Sequence, residues 1–324
     1  MSLEMVTIGN TGALERAARS LPAEWAEYLN LEVRAEQMAS DTAATYQRGF
    51  TKFQEWGKAR TVAGLPVDRA AVVEWVADLR AAGKSARSIS VWLSGTRAFF
   101  QWGLSKGLFP SDPTAGVKAG RRTNTQRHSR DKLTDEEIGR LLSLASLTTR
   151  NKALIWLALY TAARSVELWR ADIEDLRTVG QQMVLLVQGK GHSEKDEPLV
   201  IAAKSARDAV RDYLAELAQR GHVGGPLFVT GRKFDGHYRR ISRRTLRMDV
   251  HEAFKAAGIV GKTKTAHSMR HSAISKIIEM TGDVRAAQKV ARHSSVTTTE
   301  IYAHELDRLS NPGEAFIKFG LPGE

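Results

Sequence analysis

Gln182-Met183-Val184-Leu185-Leu186-Val187, then Gln188-Gly189-Lys190-Gly191-His192-Ser193, then Pro198-Leu199-Val200-Ile201, is the stretch that sets the fold class. Two short apolar runs of β-type residues, separated by glycine and polar residues, predict a β-hairpin. Almost everything around it has the helical period. The expectation is a mainly α protein with a small β-sheet: an all-helical front module, then an α+β module.

Downstream of the hairpin the sequence predicts helices over 206–219, 242–257, 268–280, 284–291 and 297–303. Upstream, Thr134 and Glu137 form a capping box that starts a helix, and residues 151–163 form a strongly apolar one. Farther upstream, residues 41–58 place Tyr46, Phe50, Phe53 and Trp56 at helical spacing. Residues 69–82, capped by Asp68, and 86–106, started by Ser85, carry further apolar stripes, and a helix near 23–39 completes a small bundle. These aromatic residues read as core rather than as a platform for stacking bases. Pro110, Asp112 and Pro113 break the chain, and the basic stretch after them reads as a linker. The predicted organisation is a helical domain over 1–112, a basic linker over 113–132, and a second domain over 133–324. No internal repeat is present.

The chain has 324 residues, 42% hydrophobic and 26% charged, which is the balance of a globular protein. Its 48 Lys and Arg against 36 acids give a net charge of +12, and a polyanion is the natural partner: nucleic acid first, an anionic membrane surface second. The excess lies mostly after residue 110, where 35 bases face 25 acids. It is densest over Lys118, Arg121, Arg122, Arg127, Arg130 and Lys132, with a second cluster of Arg239, Arg240, Arg243, Arg244 and Arg247. Such runs read either as solvated faces or as contacts to a phosphate backbone, and Lys84 and Arg87 join them as candidate DNA contacts. The absence of cysteine excludes disulfides, a thiol nucleophile and thiolate zinc sites. No stretch approaches the length of a transmembrane helix and the first 30 residues hold no secretory signal, so a cytoplasmic protein without a membrane partner is expected.

Four constellations carry chemistry. His267-Ser268-Met269-Arg270-His271 sets an imidazole and a guanidinium three residues apart, on one side of a helix start. An imidazole moves protons near neutral pH, and an arginine fork holds two phosphate oxygens. Thr161-Ala162-Ala163-Arg164-Ser165-Val166-Glu167-Leu168 puts Arg164 at a helix junction, where it needs an anion; Glu167 is one partner and a phosphate a second. In Gly189-Lys190-Gly191 the glycines admit a close approach and the lysine offers a mobile ammonium, although an exposed hairpin tip has the same sequence. Arg292-His293 precedes a Ser/Thr-capped helix, with Tyr302-Ala303-His304 nine residues after the histidine.

The order Arg164, Lys190, His267-x-x-Arg270, His293, Tyr302 resembles the tyrosine recombinase (phage integrase) family over nearly the whole chain, in its simple Cre-like or Xer-like form. Arg164-Ser165-Val166-Glu167-Leu168 is similar to the family's first arginine box, and the hairpin lysine, the His-x-x-Arg-His box and the final histidine–tyrosine box follow. Three positions depart from the usual pattern. Ala163 stands where Leu or Met is usual, Arg292 where Gly is usual, and Ser193 where a second lysine is common, with Lys195 two positions on.

The resemblance implies a SAM-like core-binding domain followed by a catalytic domain, and DNA strand cleavage and rejoining with no metal and no cofactor. Tyr302 would attack a phosphodiester and leave a 3′-phosphotyrosine, and exchange would pass through a Holliday junction. Arg164 and Arg270 would neutralise the transition state, and Lys190 would protonate the leaving oxygen. His267 would accept the tyrosine proton, His293 would hydrogen-bond a nonbridging oxygen, and Glu167 would orient Arg164 or His267. The partners implied are double-stranded DNA with paired recognition sites and a tetramer of the chain on DNA, from a monomer or weak oligomer in solution. Asn311-Pro312-Gly313 and the apolar Ala315-Phe316-Ile317-Lys318-Phe319 would dock on a neighbour or pack at home. A type IB topoisomerase, a catalytically inactive DNA-binding regulator of the same fold, and a metal site on His267, His271 and His293 remain as other readings.

Overall fold

The computed structural model describes residues 11–60, 68–120, 132–189, 194–261 and 263–293, in two compact units, Met1–Gln126 and Arg127–Glu324. The first unit is built from α1 (Thr11–Arg34), α2 (Ser40–Lys58), α3 (Arg69–Ala81) and α4 (Ala86–Ser105). Asp68 and Ser85 cap α3 and α4 by accepting from the Ala71 and Ser88 amides at 2.8 and 3.1 Å. The aromatic stripes meet in one core of Trp25, Phe50, Phe53, Trp75, Phe99, Phe100 and Trp102, so they are structural. α2 and α4 cross at Gly49 and Gly95: a Cβ on Gly49 would lie 2.4 Å from the Trp92 carbonyl, and one on Gly95 2.4 Å from that of Tyr46.

Two details differ from the sequence expectation. α1 starts before Pro22 and ends at Arg34, rather than spanning 23–39. Leu21, Trp25 and Leu29, four apart and buried, outweigh the hydrogen bond that proline removes. Glu36 then turns left-handed at φ 58° and ends the helix. Residues 113–120, read as the start of the linker, are seated on this unit: Val117 is buried, and Arg97 and Arg80 donate to the Val117 and Ala119 carbonyls at 3.1 and 3.0 Å. One apolar anchor among glycines and a lysine does not stand out in a composition reading.

The second unit begins with α5 (Asp135–Leu142), whose Thr134–Glu137 capping box is made in both directions, at 3.2 and 3.0 Å. α6 (Thr149–Thr161) is its buried central helix. α7 (Ser165–Arg170) follows a left-handed Ala162. The sheet has three antiparallel strands, β1 (Leu176–Val179), β2 (Gln182–Gln188) and β3 (Lys195–Val200), in that order, rather than a lone hairpin. β1 escapes notice because it is a short edge strand with exposed Arg177, Thr178 and Val179, so it shows no apolar alternation. α8 (Lys204–Gln219), α9 (Arg243–Ala256), α10 (Ala266–Thr281) and α11 (Val284–Ala291) complete it, close to their expected bounds. The helix expected over 297–303 lies outside the described residues.

Leu154, Leu157, Leu185, Val187, Leu199, Tyr213, Val250, Phe254 and Met269 join α6, the sheet and α8–α10 in the main core. A smaller apolar cluster of Ala162, Ile274, Ile278, Ala287 and Ala291 holds α11 on α10 and brings the ends of α6 and α11 together. That junction positions the site. No described helix is long and apolar enough to cross a membrane.

Candidate active site

Two helix ends and two helix starts build the site. Thr265 caps α10 through the His267 amide at 3.3 Å, and the first turn then carries His267 and Arg270 on one side. Arg270 is 1% exposed. Its fork is held by main-chain carbonyls: Nη1 donates to Ala162 O at the end of α6, and Nη2 to Ala291 O at the end of α11. The last carbonyls of a helix lack intrahelical donors and carry the negative end of its dipole, so they suit a buried cation.

Arg164 is the N-cap of α7. Its Nη2 donates to the Arg292 and Ala291 carbonyls at 3.0 and 3.3 Å. Ala291 O therefore receives both guanidiniums and fixes one arginine relative to the other. Glu167, 3% exposed, accepts from the Arg164 amide and from Arg164 Nη1, each at 2.7 Å. Its second role is unexpected: the same carboxylate accepts from Arg292 Nη2 at 2.6 Å. Glu167 thus pairs with both Arg164 and Arg292.

His293 follows α11. Burial first, then the charges of Arg270, Arg164, His267 and Arg292, push its pKa down to about 4, so the ring is neutral at pH 7. The His267 ring packs edge-on to His271 with centroids 5.0 Å apart. Among the described residues, no three His, Asp or Glu side chains gather as a metal site. Arg164, Glu167, His267, Arg270 and His293, far apart in sequence, thus meet in one place. Arg164 and Arg292 pair with the buried Glu167 carboxylate, Arg292 also lies by Glu197, and Arg270 is held by carbonyls alone, so three guanidiniums against two carboxylates leave an excess of positive charge that suits an anion with several oxygens. Lys190 and Tyr302 lie outside the described residues, as do Arg121, Arg122, Arg127, Arg130 and the segment 311–324.

The candidate DNA contacts separate. Lys84, Arg87, Lys118, Arg239, Arg243, Arg244 and Arg247 are exposed. Arg244 and Arg247 line a groove with His251 and Thr265, and Thr265 is the cap of the helix that carries His267. Arg240 differs from them in being half-buried. Its Nη1 donates to the Trp169 and Ala171 carbonyls at 2.6 and 2.8 Å and its Nη2 pairs with Asp172, so it ties off the end of α7. Lys195 is likewise engaged, with Asp172 at 2.6 Å and with Asp175 and the Arg170 carbonyl. In sequence these two bases look like their neighbours, because their acidic partners are remote in the chain.

A family model described as Phage integrase family matches residues 131–308, and one described as Phage integrase, N-terminal SAM-like domain matches residues 23–107. Tyrosine recombinase XerD of Oceanobacillus iheyensis is 28% identical over 284 residues, 84% of this chain and 90% of that protein. Tyrosine recombinase XerD of Bifidobacterium longum is 30% identical, over 82% of this chain and 87% of its own length. Among solved structures, the XerH site-specific recombinase in a post-cleavage complex with its difH substrate superposes with a TM-score of 0.69, at 16% identity, over 98% of this chain and 99% of that one. A lambda integrase tetramer bound to a Holliday junction gives 0.65, at 16% identity, over 86% and 76%. These structural matches place the fold: a helical SAM-like domain followed by an integrase-type catalytic domain.

Proposed function

The chain belongs to the phage integrase family, and we propose that it is a site-specific tyrosine recombinase that cuts and rejoins DNA through a 3′-phosphotyrosine at Tyr302. The observation that carries this reading is the convergence of Arg164 and Arg270 on the Ala291 carbonyl, with His267 and His293 beside them.

Tyr302 attacks the phosphorus of a backbone phosphodiester. The P–O bond to tyrosine forms and the P–O5′ bond breaks. His267 accepts the phenolic proton, and Lys190 supplies the proton that the departing 5′-oxygen takes. Negative charge that builds on the nonbridging oxygens meets Arg164 and Arg270, and the neutral His293 offers one N–H. Glu167 keeps the Arg164 fork in place. No energy input is needed, because the phosphotyrosine ester keeps the energy of the broken bond until another 5′-hydroxyl attacks. Two rounds of this exchange, separated by a Holliday junction, need four such sites, hence a tetramer on two duplexes. Acting on DNA, the protein works in the cytoplasm and joins the nucleoid when bound. Metal-free cleavage tests the reading: with a duplex selected for tight binding from a random pool, nicked beside the cut, a covalent protein–DNA adduct should form in excess chelator.

Binding is expected to draw on both units. Lys84, Arg87, Lys118, Arg239, Arg243, Arg244 and Arg247, with Arg121, Arg122, Arg127 and Arg130, are the proposed phosphate contacts. If about six or more of them neutralise phosphates, affinity should drop roughly 10³-fold between about 50 and 200 mM salt. A titration over that range checks this; a flat response contradicts it. Arg240→Ala should leave the salt slope unchanged.

The segment 311–324 is proposed to dock on a neighbouring subunit. Its deletion should leave single-site binding and first-strand cleavage near normal and remove the two-duplex complex in a gel assay. Normal recombination by the truncated protein would sink this proposal.

A further inference from the structure

We propose that Arg292 is a positioning residue that locks the β2–β3 hairpin to the arginine box and so sets the reach of Lys190; this rests on Lys190 being the proton donor. Arg292 ends α11 at φ 52°, ψ 48°, a left-handed conformation that glycine adopts freely and a residue with a Cβ adopts at a cost.

The Arg292 side chain is only 11% exposed and touches both halves of the site. Nη2 pairs with Glu167 Oε2 at 2.6 Å, the carboxylate that orients Arg164. Nε lies 3.3 Å from Glu197 Oε2 on β3, an ion pair by distance that is not aligned as a hydrogen bond, and Nη1 donates to the Val290 carbonyl at 2.9 Å. Burial lowers the Arg292 pKa, with Arg164 adding to the fall, while Glu167 and Glu197 oppose it. Glu197 sits opposite Val187 in the sheet, next to the irregularity between Val187 and Gln188. A Cβ built on Gly189 would lie 2.4 Å from Glu197 Oε1, so this carboxylate rests against the backbone directly before Lys190. Hydrogen bonds therefore run from Arg164 to Glu167 and on to Arg292, an ion pair at 3.3 Å continues to Glu197, and the Glu197 carboxylate lies against Gly189. The delocalised charge of a guanidinium can lie between two carboxylates at once, whereas a lysine ammonium is a single point charge.

The test separates acid positioning from general damage. Single-turnover cleavage is measured on the nicked, selected duplex with either oxygen or sulfur at the bridging 5′ position. A thiolate leaves without a proton, so the sulfur substrate does not need the acid. Arg292→Gly, which restores the residue best suited to that backbone, should slow the oxygen substrate by about 10²-fold, the scale of an ångström-level misplacement, and the sulfur substrate only slightly. Arg292→Lys should not restore the rate. Glu197→Gln should show the same oxygen-selective loss, and combining it with Arg292→Gly should add little. Equal losses on both substrates, or a normal rate on oxygen, would overturn the proposal. Lys190→Ala is the control. If sulfur rescues it but not Arg292→Gly, the inference fails alone; if sulfur does not rescue Lys190→Ala, the acid assignment fails and takes the inference with it.

Discussion

Tyr302→Phe is expected to bind the selected duplex almost as well as the unaltered protein and to form no covalent adduct. One hydroxyl is removed, so at most about 1 kcal/mol of binding is at stake, while the nucleophile is gone altogether. The chain has 6 tyrosines, and the fold disposes of the others. Tyr28 stacks on Trp25 and Trp102 in the front unit, and Tyr46 packs against the same core. Tyr160 lies flat on Trp156, at 5.2 Å between centroids. Tyr213 is buried and its pKa is pushed up to about 12, the wrong direction for a nucleophile. Tyr238 accepts from Arg220 Nε at 3.1 Å, with the guanidinium 4.5 Å over its ring. Only Tyr302 follows a histidine that the fold brings to Arg164 and Arg270. Adduct formation by Tyr302→Phe, or a peptide map that puts the DNA on another residue, would overturn the mechanism.

Sequence legibility followed how local each interaction is. The Thr134–Glu137 box, the Asp68 and Ser85 caps and the two strands flanking Lys190 rest on neighbours a few residues apart, and all are found, although β3 runs Lys195–Val200 rather than 198–201. Arg164, His267, Arg270 and His293 could be named because each lies in a recognisable string, and the fold brings them together. What holds them there was not legible. The anchor of both arginines is a main-chain carbonyl, Ala291 O, which has no side-chain signature. α7 is only 6 residues long, too short for a periodic pattern to declare itself. Arg292 reads in sequence as a departure at a glycine position, and its two carboxylate partners lie 125 and 95 residues away. The internal partner of Arg240 is hidden for the same reason, since Asp172 lies 68 residues before it.

Arg270→Ala should damage both folding and catalysis, and the two losses have separable causes. The Ala162 and Ala291 carbonyls would lose a charged donor inside a buried junction, a cost of about 1–3 kcal/mol that a denaturation curve can read. Cleavage should slow by about 10²–10³-fold, because a fixed positive charge at the phosphate is lost. Arg270→Lys tests which property matters. It keeps the charge but cannot span two carbonyls on opposite helix ends, so it should recover little of either loss. The ring of His293 supplies an independent readout. Arg270 is the largest of the charges that lower its pKa, after burial itself. In Arg270→Ala the His293 pKa should therefore climb from about 4 part of the way toward the ordinary histidine value. The sign follows from removing a cation, which makes the protonated ring less costly, while the burial that remains keeps it low. A proton titration of the histidine resonances would show the shift. An unmoved His293 would mean that Arg270 does not act on the site it lines, and its catalytic role would fall with that.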